Sequence, residues 1–196
     1  MALLPRLRIG PLADVAARSA ALAPDPARRM LERAEALADR VEPEKLYPLE
    51  RVLADLRGEP APATTDDDSS VVGAALLADL PALVEHLCAA AKLEPAAHAG
   101  AAWLDAAALC KRWGVSRSTL DRYRKRGLVG RRVEARAGRP KLVFAAPRVE
   151  AFEARQRPGL ERAATFTRIS PEETERMLRR AARYRRLLGW SASRAP

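Results

Sequence analysis

Apolar residues recur every three or four positions along most of the chain, which is the spacing of amphipathic α-helices. The first clear run begins with Asp25 and Pro26, a pair suited to cap and start a helix, and extends to Val41. A second run begins at Pro48 and ends at Gly58. The two runs predict a helical N-terminal region over residues 1–58, in which these helices pack as a hairpin.

A polar stretch over residues 59–70 interrupts the pattern and predicts a disordered linker, with Ser70 as the cap of the next helix. An apolar helical segment covers 71–93, and a second linker, rich in Ala and Pro, covers 94–102. A leucine stripe on that segment is compatible with two arrangements. We favour packing inside the chain; the alternative is a homodimer through residues 71–93. The stripe consists of Leu76, Leu80, Leu83 and Leu87.

The segment from Leu104 to Tyr123 has the pattern of two short crossed helices. Gly114 ends the first helix, because a tight turn between helices needs a residue that tolerates positive φ. Ser116 suits the cap position of the second helix. Leu120 and Tyr123 lie three residues apart and therefore share one face, turned towards the first helix. The segment predicts a helix-turn-helix.

The opposite face of the second helix is polar and mostly basic. A helix with such a face after this turn is typically the one that enters the major groove of DNA. Arg117 or Arg122 could hold guanine through O6 and N7, and Asp121 could accept a hydrogen bond from cytosine. A core hairpin with a solvated arginine face would explain the apolar positions equally well, but not the one-sided charge. The predicted reading residues are Arg117, Ser118, Asp121, Arg122 and Lys125.

Two short β-prone runs follow, over 129–133 and 141–144, and a turn-rich connection over 135–140 joins them. They predict a basic hairpin, or wing, and a helix from Pro147 that closes the small core. Residues 103–155 therefore predict a winged helix-turn-helix DNA-binding domain that folds independently between two linkers. The wing arginines expected to contact phosphates are Arg131, Arg132, Arg136 and Arg139.

A capping box with proline at the first helical position begins at Ser170 and predicts a basic amphipathic helix over 170–188. One stripe of this helix is apolar and includes Met177 and Leu178. A second stripe consists of arginines. Three interpretations remain open: a helix against the DNA backbone, a helix on a membrane surface, and a solvated face.

Charge is distributed unevenly between the two halves of the chain. Residues 1–102 contain 11 Lys and Arg against 16 Asp and Glu, and residues 103–196 contain 24 against 9. The net charges of −5 and +15 indicate a polyanionic partner for the basic half. Because a flexible linker is predicted between the halves, the acidic half is expected to screen the basic one.

Residues suited to catalysis or metal binding are scarce. The two cysteines, Cys88 and Cys110, and the two histidines, His86 and His98, are isolated and lack metal-ligand spacing. We therefore expect no enzyme activity, no cofactor and no metal. Isolated cysteines favour a reducing cytoplasmic setting, and no uncharged apolar run reaches the length of a membrane span.

Residues 103–154 resemble the winged helix-turn-helix of the excisionase and MerR-type families. The resemblance rests on Trp-Gly-Val-Ser-Arg-Ser-Thr-Leu over 113–120, on the basic hairpin and on Val-Glu-Ala-Phe over 149–152. It implies the same fold and DNA binding.

Nearly the whole chain resembles the N-terminal part of planctomycete-type sigma-70-family, sigma-factor-like transcription proteins. The segments that carry this resemblance are Arg-Leu-Arg-Ile-Gly-Pro-Leu-Ala-Asp over 6–14, Leu-Glu-Arg-Ala-Glu-Ala-Leu-Ala over 31–38, Gly-Ala-Ala-Leu-Leu-Ala-Asp-Leu over 73–80, and Phe-Thr-Arg-Ile-Ser over 166–170. It implies a transcription role with RNA polymerase as a candidate partner. Unlike that family, the chain has no second helix-turn-helix before Pro196, as expected of a shortened relative or a piece of a longer protein.

The sequence thus predicts a mainly α cytoplasmic protein with a helical N-terminal region, a winged helix-turn-helix with a small β-hairpin, and a C-terminal basic helix. Its expected function is to bind double-stranded DNA in transcription, as a sigma-factor-like protein or a regulator, with helix 117–125 in the major groove. Two alternatives stay open: an excisionase-like factor that bends DNA, and a protein-interaction module that binds no DNA.

Overall fold

The protein is mainly α-helical, as the periodicity predicts. The computed structural model describes residues 4–61, 69–98, 100, 102–134, 140–165 and 171–188, and all elements below lie in those ranges. Its helices are α1 (Gly10–Ser19), α2 (Pro24–Arg40), α3 (Leu49–Arg57), α4 (Gly73–Ala91), α5 (Ala106–Trp113), α6 (Arg117–Arg124), α7 (Ala146–Thr165) and α8 (Pro171–Leu188), with a 3₁₀ turn at Pro95–His98.

Short antiparallel strands form two small sheets. The first sheet pairs β1 with β2, and the second has the strand order β3-β5-β4. In the second sheet Leu104 lies opposite Phe144, and Arg131 lies opposite Val143. The strands are β1 (Leu46–Pro48), β2 (Ser70–Val72), β3 (Trp103–Asp105), β4 (Arg131–Glu134) and β5 (Pro140–Ala145).

Helix α4 is the central element of the N-terminal core. It packs against α1 and α2, and the four leucines of its stripe are fully buried beside side chains such as Leu12 and Leu31. The stripe therefore packs inside the chain, and none of its leucines is left on the surface for the homodimer considered above. α4 is long and apolar enough to cross a membrane, but 67% of it is buried in the protein, as in the core helix of a soluble protein.

The helix-turn-helix forms as predicted. α5 ends at Gly114, whose φ of +62° lies in the left-handed region. Ser116 caps α6, since its Oγ accepts a hydrogen bond from the backbone N–H of Thr119 at 3.3 Å. Asp105 caps α5 in the same way, accepting from Ala108 N–H at 2.8 Å. The local signals at these positions are strong enough to fix both helix starts.

Three predicted boundaries are wrong. α2 begins at Pro24, one residue before the predicted cap, with Ala23 as its N-cap. Ser70 does not cap a helix, because it belongs to β2 and pairs with Pro48 of β1. α7 does not end at the predicted domain boundary, residue 155; it runs to Thr165, through Pro158 and Gly159. Most of the predicted disordered linker, residues 62–68, and Ser170 of the predicted capping box lie outside the described residues.

The chain divides into two compact units, Met1–Arg157 and Pro158–Pro196. The winged helix-turn-helix lies in the first unit together with the N-terminal helices, so residues 103–155 do not form a compact unit of their own here. That they fold independently stays a prediction. One reason for the shared unit is close packing at Gly127, where a Cβ atom would lie 2.8 Å from Cδ2 of Leu77 on α4. Val129 completes this contact by joining the N-terminal core.

Substitution of Gly127 tests that docking. Gly127 has a φ of +95°, and any side chain there would meet Leu77. We expect Gly127→Ala to lower the free energy of unfolding by about 1–3 kcal/mol, through backbone strain and overpacking together. Gly10→Ala is the matched control, because it adds a methyl group where no atom lies within 4 Å. Equal urea midpoints for the two variants would contradict the docking.

Candidate nucleic-acid interface

Three aromatic rings fix the orientation of α6. Trp113 of α5 meets the ring of Tyr123 edge-on, with centroids 5.7 Å apart, and stacks on Phe152 of α7 at 5.9 Å. Tyr123 and Phe152 also meet, at 5.8 Å. With Leu120 fully buried, these contacts hold the apolar side of α6 inward. The opposite side of the helix must therefore face solvent.

All five predicted reading residues lie on that exposed side. Their mutual contacts are weak: the Nε of Arg117 lies 4.0 Å from Oδ1 of Asp121, at the limit of an ion pair. The Ser118 hydroxyl lies 2.9 Å from that of Ser116. Exposed ion pairs of this kind contribute little to stability. The helix therefore presents these side chains without committing them to the fold.

Arg122 and Lys125 lack the protein contacts that most other described arginines and lysines of the first unit make. Within the described part of the chain, neither side chain makes an ion pair or a hydrogen bond to the protein. Arg122 lies in the last turn of α6, and Lys125 is its C-cap; both are exposed. Their charges are therefore available to a ligand without breaking any contact described here.

The wing arginine Arg131 has another role than the one predicted. Its guanidinium donates two hydrogen bonds of 2.8 Å to the carboxylate of Glu35 on α2, which is only 3% exposed. It also lies 3.1 Å from Nε2 of His98 and 5.4 Å above the ring of Trp103. The bonds to Glu35 raise the pKa of Arg131, against an opposing effect of burial. Arg131 thus joins the wing to the N-terminal helices.

Arg132 is turned inward in the same way. Its guanidinium lies 3.4 Å from the Glu85 carboxylate of α4, which also pairs with Arg124 of α6. The backbone N–H of Arg132 meets the sulfur of Cys88, a buried thiol whose pKa is raised to about 12 by burial. The prediction that Arg131 and Arg132 contact phosphates is therefore corrected, because both side chains are turned inward onto buried carboxylates of the N-terminal helices. Arg136 and Arg139 lie outside the described residues and stay predictions.

Arginines of α7 complete this ionic contact between the two regions. Arg148 pairs with both Glu35 and Asp39 of α2. Arg155 donates to the backbone carbonyl of Asp39 at 3.1 Å. The acidic half was predicted to screen the basic half from a flexible tether. The structure shows a different arrangement. The acidic half neutralises particular arginines by direct contact and leaves the outer face of α6 uncovered.

The N-terminal strap, which we define as residues 4–9, is a feature that the sequence interpretation missed. The N–H groups of Arg8 and Ile9 both donate to Oδ2 of the buried Asp79 on α4, at 2.7 Å each. The carbonyl of Pro5 lies 3.0 Å from Nε2 of His86, two turns further along α4. The alternation of basic and apolar residues over 6–9 was the signal that exposed and half-buried side chains alternate here.

The strap lies beside the end of α6. Together with α4 and α6 it lines a groove of about 370 Å³, to which Arg6, Arg8, Asp121 and Lys125 contribute. Arg6 and Arg8 are exposed. The basic surface of α6 therefore continues onto the N-terminal strap.

No cluster that could hold a metal ion occurs among the residues that the structure describes. In the second unit, α8 exposes Met177 and Leu178 by more than half, and Arg180 lies 5.8 Å from the ring of Tyr184. This exposure is consistent with an amphipathic helix and leaves all three interpretations of that helix open.

Comparisons with known proteins give this site no further identity. A scan against protein-family models, a search of curated proteins and a search of solved structures found no match to the chain. The functional assignment therefore depends on the geometry and charge described above.

Proposed function

We propose that the protein binds double-stranded DNA by placing the outer face of α6 in the major groove. The observation that carries the proposal is the sorting of charge around this helix. Arg124, Arg131 and Arg132 point inward and meet buried carboxylates, whereas Arg122 and Lys125 point outward with no protein partner in the described part of the chain. Cations left exposed on a rigid helix of this motif are the usual means of DNA recognition.

The fold supports the proposal in a second way. α6 is held by three aromatic contacts and by its cap, so its exposed side chains start from a fixed backbone. A reading helix that is already ordered loses less conformational entropy on binding. The reading roles follow from hydrogen-bond geometry: Arg117 and Arg122 suit guanine, and Asp121 suits cytosine.

The cellular role we infer is in transcription in the cytoplasm, as a sigma-factor-like protein or a regulator. The resemblance to sigma-70-family proteins motivates this role, and the free thiols of Cys88 and Cys110 fit a reducing compartment. Co-purification with RNA polymerase would support a sigma-like role. An excisionase-like factor would instead change the gel mobility of its site according to the position of a bend, without binding polymerase. A module that binds only proteins would select no DNA sequence from a random pool.

Arg122→Ala tests the reading face directly. A site is first selected from random duplexes, and affinities for that site and for random DNA are then measured at one fixed salt concentration. Because Arg122 is expected to contact a base edge, the variant should lose about 1–3 kcal/mol of discrimination between the two DNAs. Its stability should be unchanged, since the side chain contacts nothing that the fold requires.

Arg51→Ala is the control, since it removes an equal charge from an exposed position on α3. It should leave discrimination unchanged. Equal losses of specific and random affinity in Arg122→Ala would assign that arginine to phosphate and contradict the reading role.

A further inference from the structure

We propose that the N-terminal strap is a second DNA contact, in which Arg6 and Arg8 bind backbone phosphates beside the end of the recognition helix. This inference rests on the proposed function, because it names an additional surface for the same partner. The strap brings two exposed arginines to the groove that the last turn of α6 lines.

The strap is fixed by its backbone, which leaves its arginine side chains uncommitted. Asp79 receives two N–H groups and His86 meets a carbonyl, so the segment is attached to α4 at two points. The side chains of Leu7 and Ile9 also pack against the N-terminal core. Leu7 and Ile9 are half-buried, whereas Arg6 and Arg8 are exposed, so the two arginine side chains are turned outward.

The charge around the groove favours an anion. Its lining includes the basic residues Arg6, Arg8, Arg124 and Lys125 and the acidic residues Asp79 and Asp121. Both acids have partners: Asp79 accepts the two strap N–H groups, and Asp121 lies 3.9 Å from Arg124 and 4.0 Å from Arg117. Arg124 is in turn held by Glu85.

The position of the groove favours DNA phosphates over base edges. In this motif the N-terminal residues of the recognition helix contact the bases. The strap flanks the other end of α6, beyond the reading residues up to Arg122. Lys125 also lies at that end, and we assign it with the strap to phosphate and not to a base edge. At that end of the helix the nearest part of the duplex is its sugar-phosphate backbone, which accepts arginine without regard to sequence.

The test compares the salt dependence of DNA binding for the full chain and for the double variant Arg6→Ala/Arg8→Ala. Each phosphate contact contributes about 0.9 to the slope of log affinity against log salt, so the slope should fall by about two. Between 50 and 200 mM salt, the wild type should then lose about tenfold more affinity than the double variant. Discrimination between the selected site and random DNA should be unchanged.

Two further variants complete the design. Arg29→Ala/Arg51→Ala removes the same charge from exposed positions on α2 and α3 and should keep the wild-type slope. Arg6→Lys/Arg8→Lys keeps the charge and should also keep the wild-type slope, because phosphate accepts either cation. Thermal melts should show all three folded, since the attachments of the strap use backbone atoms and the side chains of Asp79 and His86.

Each other outcome overturns a defined statement. An unchanged slope in Arg6→Ala/Arg8→Ala, or the same decrease in Arg29→Ala/Arg51→Ala, would overturn the strap contact while Arg122-dependent recognition still stands. A decrease in the lysine variant as large as in the alanine variant would overturn the assignment to phosphate. Absence of duplex binding by the wild type would overturn the proposed function itself, and the strap contact with it.

Discussion

Replacing Glu35 with alanine is expected to lower the free energy of unfolding by about 3–5 kcal/mol, because it removes one partner of a buried ionic network. The Glu35 carboxylate is almost completely buried and binds Arg131 through both oxygens, with Arg148 as a third member at 3.3 Å. Without the Glu35 carboxylate, the guanidinium groups of Arg131 and Arg148 would stay largely buried with less negative charge beside them. Urea unfolding monitored by circular dichroism measures the loss.

An exposed ion pair provides the matched control for that variant. Asp55 pairs with Arg40 at 2.6 Å, but both side chains are more than 40% exposed. Asp55→Ala should therefore cost less than about 1 kcal/mol. Adding salt should weaken the Asp55 pair further and affect the Glu35 network much less, since burial limits screening. Equal costs for the two variants would show that the Glu35 network does not hold the wing to the N-terminal helices.

The helix-turn-helix was predictable because its signals are local. Gly114 and Ser116 act on residues within one turn of themselves, and Leu120 and Tyr123 lie on one face by helical geometry alone. The same locality explains why the outward face of α6 was assigned correctly as exposed. A side chain on the opposite face from the core needs no knowledge of distant residues.

The ionic contact between the two halves was not predictable from these signals. Glu35 and Arg131 are 96 positions apart, and nothing near either residue in sequence indicates its partner. Glu35 does lie on the apolar face of α2, four residues after the buried Leu31. A carboxylate at such a position needs a counter-charge. That reasoning predicts the need for a partner and not its identity.

One residue of the predicted linker 94–102 is held by contacts that composition does not indicate. Composition over 94–102 is typical of a flexible segment, but His98 is buried and lies 4.6 Å from the ring of Trp103. Its Nδ1 also meets the carbonyl of Glu94 at 2.9 Å. The contact of its Nε2 with Arg131 of β4 joins residues 33 positions apart, so it could not be inferred from the local sequence.

Trp113→Ala is the second substitution with a large expected effect. The indole is buried between Tyr123 and Phe152, and its Nε1 donates to Glu153 at 2.6 Å. Removing it would leave a cavity at the point where α5, α6 and α7 meet. We expect a loss of about 3–5 kcal/mol in the free energy of unfolding. Because α6 then loses its main support, DNA discrimination through Arg122 should decrease in the same variant.

Trp113→Phe separates packing from hydrogen bonding at this position. It keeps an aromatic ring between Tyr123 and Phe152 but removes the bond to Glu153, which should cost about 1–2 kcal/mol. Burial raises the pKa of Glu153, but the bonds from Arg112 and Trp113 outweigh it and hold that pKa below its ordinary value. The bond therefore stabilises the fold above the ordinary carboxyl pKa, and the stabilisation is lost as the pH falls through the lowered value. The stability gap between wild type and Trp113→Phe should accordingly narrow in acid, whereas the gap for Trp113→Ala should stay large. A gap for Trp113→Ala that closed in acid as well would assign its cost to the Glu153 bond and contradict the packing role of the indole.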